Sequence, residues 1–173
     1  MRIRTIATTL CCMLFATFAA PQAATKALAQ DRPQECEEAM QTRSPQGQVD
    51  LFTICLDSGR LSGDPKATTL KERAIAYMHL GRHQFAVEDL NEAIKIKPGD
   101  ADNFYLRGFA YRALGQHQKA VEDSNRAVGM DPSFAAAYAN RAFANKALGN
   151  IGQARSDARR AQALDPTVKV PSF

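Results

Sequence analysis

Three arginines are each followed 16 residues later by an aspartate: Arg73 by Asp89, Arg107 by Asp123 and Arg141 by Asp157. A guanidinium and a carboxylate at so regular an interval suit a charged, two-pronged hydrogen bond, a structural ladder with no catalytic meaning. Two cysteines, Cys36 and Cys55, remain once an apolar leader is set aside, and thiol or disulfide chemistry is open to them. The histidines are His79, His83 and His117. The last two fall at equivalent turns far apart in the chain, which is not a metal-ligand spacing, so they read as packing or surface residues. There is no glycine-rich phosphate loop and no G-x-S-x-G, and Glu88, Asp89, Glu122 and Asp123 recur as solvated or paired helix faces. No catalytic residue, no metal site and no cofactor is implied, and an enzyme is disfavoured.

The elements that must hold these pairs follow from a period. Pro98, Pro132 and Pro166 stand 34 residues apart, and Gly81, Gly115 and Gly149 keep that interval, as do Leu80, Leu114 and Leu148. So do Ala86, Ala120 and Ala154, and Ala93, Ala127 and Ala161. Self-similarity of this length means stacked supersecondary units that offer a surface. Each unit opens with an apolar stripe at helical spacing, such as Phe104, Gly108, Tyr111 and Leu114. The glycines end the first helix, because a left-handed residue just past a helix end costs glycine nothing sterically. A second stripe follows, with Ala120, Ser124, Ala127 and Met130 in the middle unit, and proline closes it.

Counted from Ala67, Ala101 and Ala135, the fourth position holds Leu70, Phe104 and Tyr138, the eighth Ala74, Gly108 and Ala142, and the eleventh Tyr77, Tyr111 and Asn145. This pattern of small, aromatic, glycine, alanine and proline residues resembles the tetratricopeptide repeat, a helix-turn-helix unit; the third unit departs from it at Asn145. The resemblance implies an all-α fold, an α-solenoid of repeats over 67–100, 101–134 and 135–168, with a tail over 169–173. It also implies a concave groove lined by positions two, five, nine and twelve of each first helix. Those positions carry Lys71, Ile75 and Met78 in one unit, Tyr105, Phe109 and Arg112 in the next, and Phe143 with Lys146 in the third. An apolar row rimmed by charge suits a peptide or partner helix with apolar anchors and acidic side chains. The alternative is that the first unit or the tail 167–173 covers part of the row Ile75, Phe109, Phe143. One subclass of the family clamps a terminal carboxylate with lysines and asparagines; Asn140 fits it in part, but Leu106 and Ile75 stand where polar groups are wanted, so that activity is not carried over.

Running the register back puts Cys36 at the fourth position of a degenerate terminal repeat over 30–66, with helices expected from Gln34 to Thr42 and from Val49 to Leu61. Ser44, Pro45 and Gly47 would form the turn. Cys36 and Cys55 then lie on the two helices of one hairpin, where a disulfide would stabilise by roughly 3 kcal/mol; two small buried thiols are the alternative, and no Cys-x-x-Cys supports a redox pair. Residues 1–29 read as a cleaved signal: Arg2 and Arg4 precede an apolar run from Ile6 to Ala20, and Ala27-Leu28-Ala29 has the small-x-small form of a cleavage site. Loss of Arg2, Arg4 and Lys26 takes the formal charge from +4 to +1. With no basic run and interleaved aromatics, nucleic acid is a poor partner, and the mature chain has no membrane span. The last helix, rich in arginine, reads as its own cap or as a docking edge. The expectation is an exported, periplasmic or secreted, noncatalytic adaptor binding a protein partner in its groove. Its rival is a structural or self-assembling subunit acting through the ends of the stack.

Overall fold

A computed structural model describes residues 33–173, which form one compact unit; the predicted signal over 1–29 lies outside the described residues. Among the described residues there are eight helices and no strand: α1 Gln34–Gln41, α2 Pro45–Asp57, α3 Gly63–His79, α4 His83–Ile96, α5 Ala101–Ala113, α6 His117–Met130, α7 Ala135–Ala147 and α8 Ile151–Leu164. Each helix packs antiparallel-fashion on its neighbour in sequence, and the opening helices α3, α5 and α7 also touch one another in turn. That second set of contacts makes α3, α5 and α7 share one face of the solenoid.

The repeat signals act through local backbone chemistry. Gly81, Gly115 and Gly149 have φ of 70°, 73° and 82°. Beyond them the amides of Arg82, Gln116 and Asn150 reach back to the carbonyls of Tyr77, Tyr111 and Asn145 at 2.9, 2.8 and 2.9 Å, closing the helix ends. After the second helix of the later repeats, Asp131 accepts hydrogen bonds from the Ser133 amide and hydroxyl, and Asp165 from those of Thr167. The core between paired helices is built largely of alanine: Ala74, Ala86, Ala110, Ala120, Ala127, Ala142, Ala154 and Ala161 are all fully buried. Small residues let the backbones approach. At Gly108 an added Cβ would lie 3.2 Å from the Asp123 Cβ and 3.3 Å from the Ala120 carbonyl oxygen.

The N-terminal hairpin differs from the sequence reading in its bounds. Its second helix starts at Pro45, four residues before Val49, and ends at Asp57 instead of Leu61. Proline is well placed in a first helical turn, where its missing N–H has no partner to lose. The Ser44 hydroxyl caps the helix by accepting from the Gly47 amide at 3.3 Å. Gly47 is thus a helical residue, and the turn is shorter than expected. At the other end Gly59, with φ of 68°, stops the helix and lets Leu61 fold back onto Cys36 and Cys55.

Candidate functional site

The shared face of α5 and α7 holds a concave pocket of about 320 Å³. From α5 come Tyr105, Phe109 and Arg112, and from α7 Ala136, Ala139, Asn140 and Phe143. The spacing of four and three along α5 aligns its three side chains on one side. Arg112 sits at the centre. Its guanidinium carbon lies 4.9 Å from the Phe109 ring centre and 5.0 Å from that of Phe143, so the cation is sandwiched between two rings. Its Nε donates to Asn140 Oδ1 at 2.7 Å, and Asn140 in turn donates to the buried Ser124 hydroxyl at 3.0 Å. Among the described residues no carboxylate pairs with Arg112, and burial pushes its guanidinium down from the usual arginine range. Tyr105 stacks obliquely on Phe134 at 4.9 Å, and burial pushes its phenol up.

Below the groove runs the arginine–aspartate ladder. Arg73, Arg107 and Arg141 each fork onto the two oxygens of Asp89, Asp123 and Asp157, at 2.8 and 2.7 Å, 2.8 and 2.8 Å, and 2.9 and 2.6 Å. A third prong leaves the repeat. Arg107 donates to Asn91 and Arg141 to Asn125, both at 2.7 Å, and Arg73 to Thr53 at 3.1 Å. Each arginine therefore ties three helices: its own, its partner in the hairpin, and the closing helix of the previous unit. The hydrogen bonds that Arg107 donates to Asp123 hold its guanidinium raised, against the cost of burial. At the first rung burial pushes the Asp89 carboxyl up, against the pull of Arg73.

Comparison with known proteins bears on this geometry. The tetratricopeptide repeat family model matches residues 72–100, 101–134 and 135–168. The chain belongs to the tetratricopeptide repeat family. Solved structures agree: the first such domain of Spaghetti (RPAP3) bound to the HSP90 peptide SRMEEVD is 29% identical, with a TM-score of 0.59, over 60% of this chain and 82% of that one. The second domain of human RPAP3 in complex with the HSP70 peptide SGPTIEEVD is 26% identical, with a TM-score of 0.57, over 60% and 87%. MamA, at 18% identity and a TM-score of 0.64 over 88% and 77%, shares the fold. A comparison with curated protein sequences gives no match. Tetratricopeptide repeats are in general noncatalytic protein-binding units.

Within this repeat framework the predicted groove residues separate. Tyr105, Phe109, Arg112 and Phe143 share the one pocket, while the others stand apart from it. Lys71 is held by Asp100 and Asp102 at 3.3 and 3.5 Å, so its charge is already matched. Met78 packs against the core around Ala74 and Leu90. Ile75 lines a different cavity, together with Met40 and Phe52 of the N-terminal hairpin. Lys146 donates to the Ser172 carbonyl at 2.5 Å, and Phe173 lies between Lys146 and Arg155. The tail thus folds back instead of leaving α8 as its own cap: Pro171 is buried, and Val168 and Lys169 form one wall of the Arg112 pocket. Cys36 and Cys55 are both buried in the first hairpin with their Cα atoms 5.5 Å apart, a separation that suits a disulfide.

Sequence reasoning missed several partners. Asn91 and Asn125 keep the 34-residue interval and were legible as a repeated acceptor, whereas the Asn140 contact to Arg112 and the tail wall depend on tertiary packing. Among the described residues no helix is long and apolar enough to cross a membrane, and no group of three His, Cys, Asp or Glu could hold a metal ion.

Proposed function

We propose that this chain is an exported adaptor that captures a carboxylate-bearing, partly apolar peptide or partner helix in the pocket between α5 and α7. The observation that carries the reading is Arg112: a half-buried cation, stacked between Phe109 and Phe143, with no acidic partner among the described residues. Such a group has donors left over for an incoming carboxylate, and the rings offer apolar area beside it. The peptides bound by the RPAP3 domains, SRMEEVD and SGPTIEEVD, are acidic near their ends, which supports this class of partner. Export rests on the leader 1–29, and in an oxidising compartment Cys36 and Cys55 would form the disulfide that staples the first hairpin.

The test is peptide binding by fluorescence anisotropy, with a library of apolar peptides carrying or lacking acidic residues. Acidic peptides should bind the wild type and lose affinity at least tenfold against Arg112→Ala and Phe109→Asp, with both variants folded by circular dichroism. Equal binding by all three proteins would remove the pocket from the function. Amino-terminal sequencing of the protein from the exported fraction should begin near Gln30; an intact leader in the cytoplasm would overturn the export reading.

A further inference from the structure

The two ends of the stack carry opposite charges. On α8 the side chains of Arg155, Arg159 and Arg160 are exposed, and among the described residues none is in an ion pair. Arg155 and Arg159, four residues and one helical turn apart, wall a cavity of about 510 Å³ whose other side is the tail 170–173. At the opposite end α1 exposes Glu37 and Glu38, which also lack a cationic partner there; Glu38 accepts only from Gln34 in its own helix, at 2.8 Å.

The ladder shows how a boundary between repeats is built and where that rule is inverted. At interior boundaries the opening helix brings an arginine and the closing helix before it supplies a neutral acceptor, as in Arg107 to Asn91 and Arg141 to Asn125. Shifted by 34 residues, the acceptor position on α8 is Arg159, and the arginine position on α1 is Ala39. A further arginine-bearing repeat could not dock on α8, because two guanidinium groups would meet. An opening helix without that arginine could, and α1, which has Ala39 there and exposes Glu37 and Glu38 beside it, is such a helix.

We propose that α1 of a second copy docks on the α8 end of the first, setting Glu37 and Glu38 against Arg155 and Arg159 and continuing the stack head to tail. The contact is heterologous, so each copy keeps one free end and the assembly grows as a chain. It rests mainly on exposed charges, which makes it weak and sensitive to salt. The Arg112 pocket lies on the concave face of α5 and α7, so a string of copies would repeat it at regular intervals without blocking it. This inference is independent of peptide capture, and either can fail alone.

Sedimentation velocity of the purified protein, from micromolar to millimolar concentration at low and high salt, tests it. The expected result is association that rises with concentration and falls with salt. Arg155→Glu with Arg159→Glu should give a monomer, as should Glu37→Lys with Glu38→Lys. Mixing these two folded variants should restore association, since each then offers an end complementary to the other. A wild type that stays monomeric throughout, association that ignores both charge reversals, or a mixture that stays monomeric would overturn it.

Discussion

Arg107 of α5 and Asn91 of α4 are joined at 2.7 Å across the boundary between two repeats, while the same guanidinium forks onto Asp123 within its own repeat. One side chain thus fixes both the hairpin angle and the stacking of the hairpin on its neighbour. The Arg107 and Asp123 side chains are 16% and 6% exposed, so breaking this rung strands a charge in a poorly solvated place. Arg107→Ala is expected to cost about 3 kcal/mol or more. Asn91→Ala, which removes one hydrogen bond to a charged group, should cost about 1.5–3 kcal/mol. Urea denaturation of both variants checks the order; an Arg107→Ala protein as stable as the wild type would refute a structural ladder.

Two glycines in paired helices should respond oppositely to alanine. Gly129 on α6 has open space where a Cβ would stand, so Gly129→Ala gains up to about 1 kcal/mol from helix propensity alone. Gly108 on α5 has the Ala120 carbonyl and Asp123 at 3.3 and 3.2 Å from that point, and a backbone oxygen cannot swing aside. Overpacking there costs about 1–3 kcal/mol, which cancels or exceeds the propensity gain. Melting temperatures should rise for the first variant and not for the second.

The tail forms one wall of the groove. Phe173 is flanked by Lys146 and Arg155 at 5.6 and 5.5 Å from its ring centre but is half exposed itself. Phe173→Ala should leave global stability within about 1 kcal/mol, because exposed cation–π contacts are weak. Hydrogen exchange should quicken over 168–173, and access to the Arg112 pocket should increase.

Acid sensitivity has an identifiable local source. Hydrogen bonds from the side chains and amides of Ser133 and Thr167 hold the Asp131 and Asp165 carboxyls below the usual carboxylate range. Folded values below the unfolded one, about 3.9, mean these groups stabilise the fold above that pH and lose the contribution as pH falls through the folded values. The double variant Asp131→Asn, Asp165→Asn should therefore lose less stability than the wild type between about pH 5 and pH 2. Parallel stability curves would show that the two turns do not contribute.

If Cys36 and Cys55 are bonded, reductant should lower wild-type stability by roughly 3 kcal/mol and leave a Cys36→Ser, Cys55→Ser double variant unmoved. Loss should appear first as faster exchange in α1 and α2, the hairpin they join. Free thiols in the protein isolated from its native compartment, counted under denaturing conditions, would contradict the bond.

Most of the architecture was legible because it is written three times. A proline, a glycine and paired alanines at a 34-residue interval determine where helices stop and how closely they pack, and these are local backbone and steric effects. The first hairpin was harder to read, since it is present once and its Pro45 reads equally as turn or as helix start until Ser44 is seen to cap it. The family resemblance placed Lys71, Phe109 and Arg112 on a common face, but not their partners. Asp100 and Asp102 neutralise Lys71, and two rings with Asn140 surround Arg112, through contacts between elements far apart in the chain. Sequence by itself thus determined the period, the helices and the pairing of each arginine with its aspartate, all set within one repeat. Only the tertiary structure decided which of Lys71 and Arg112 meets a carboxylate and which parts of the apolar row the hairpin and the tail adjoin, because burial and charge pairing depend on what each side chain meets across the stack.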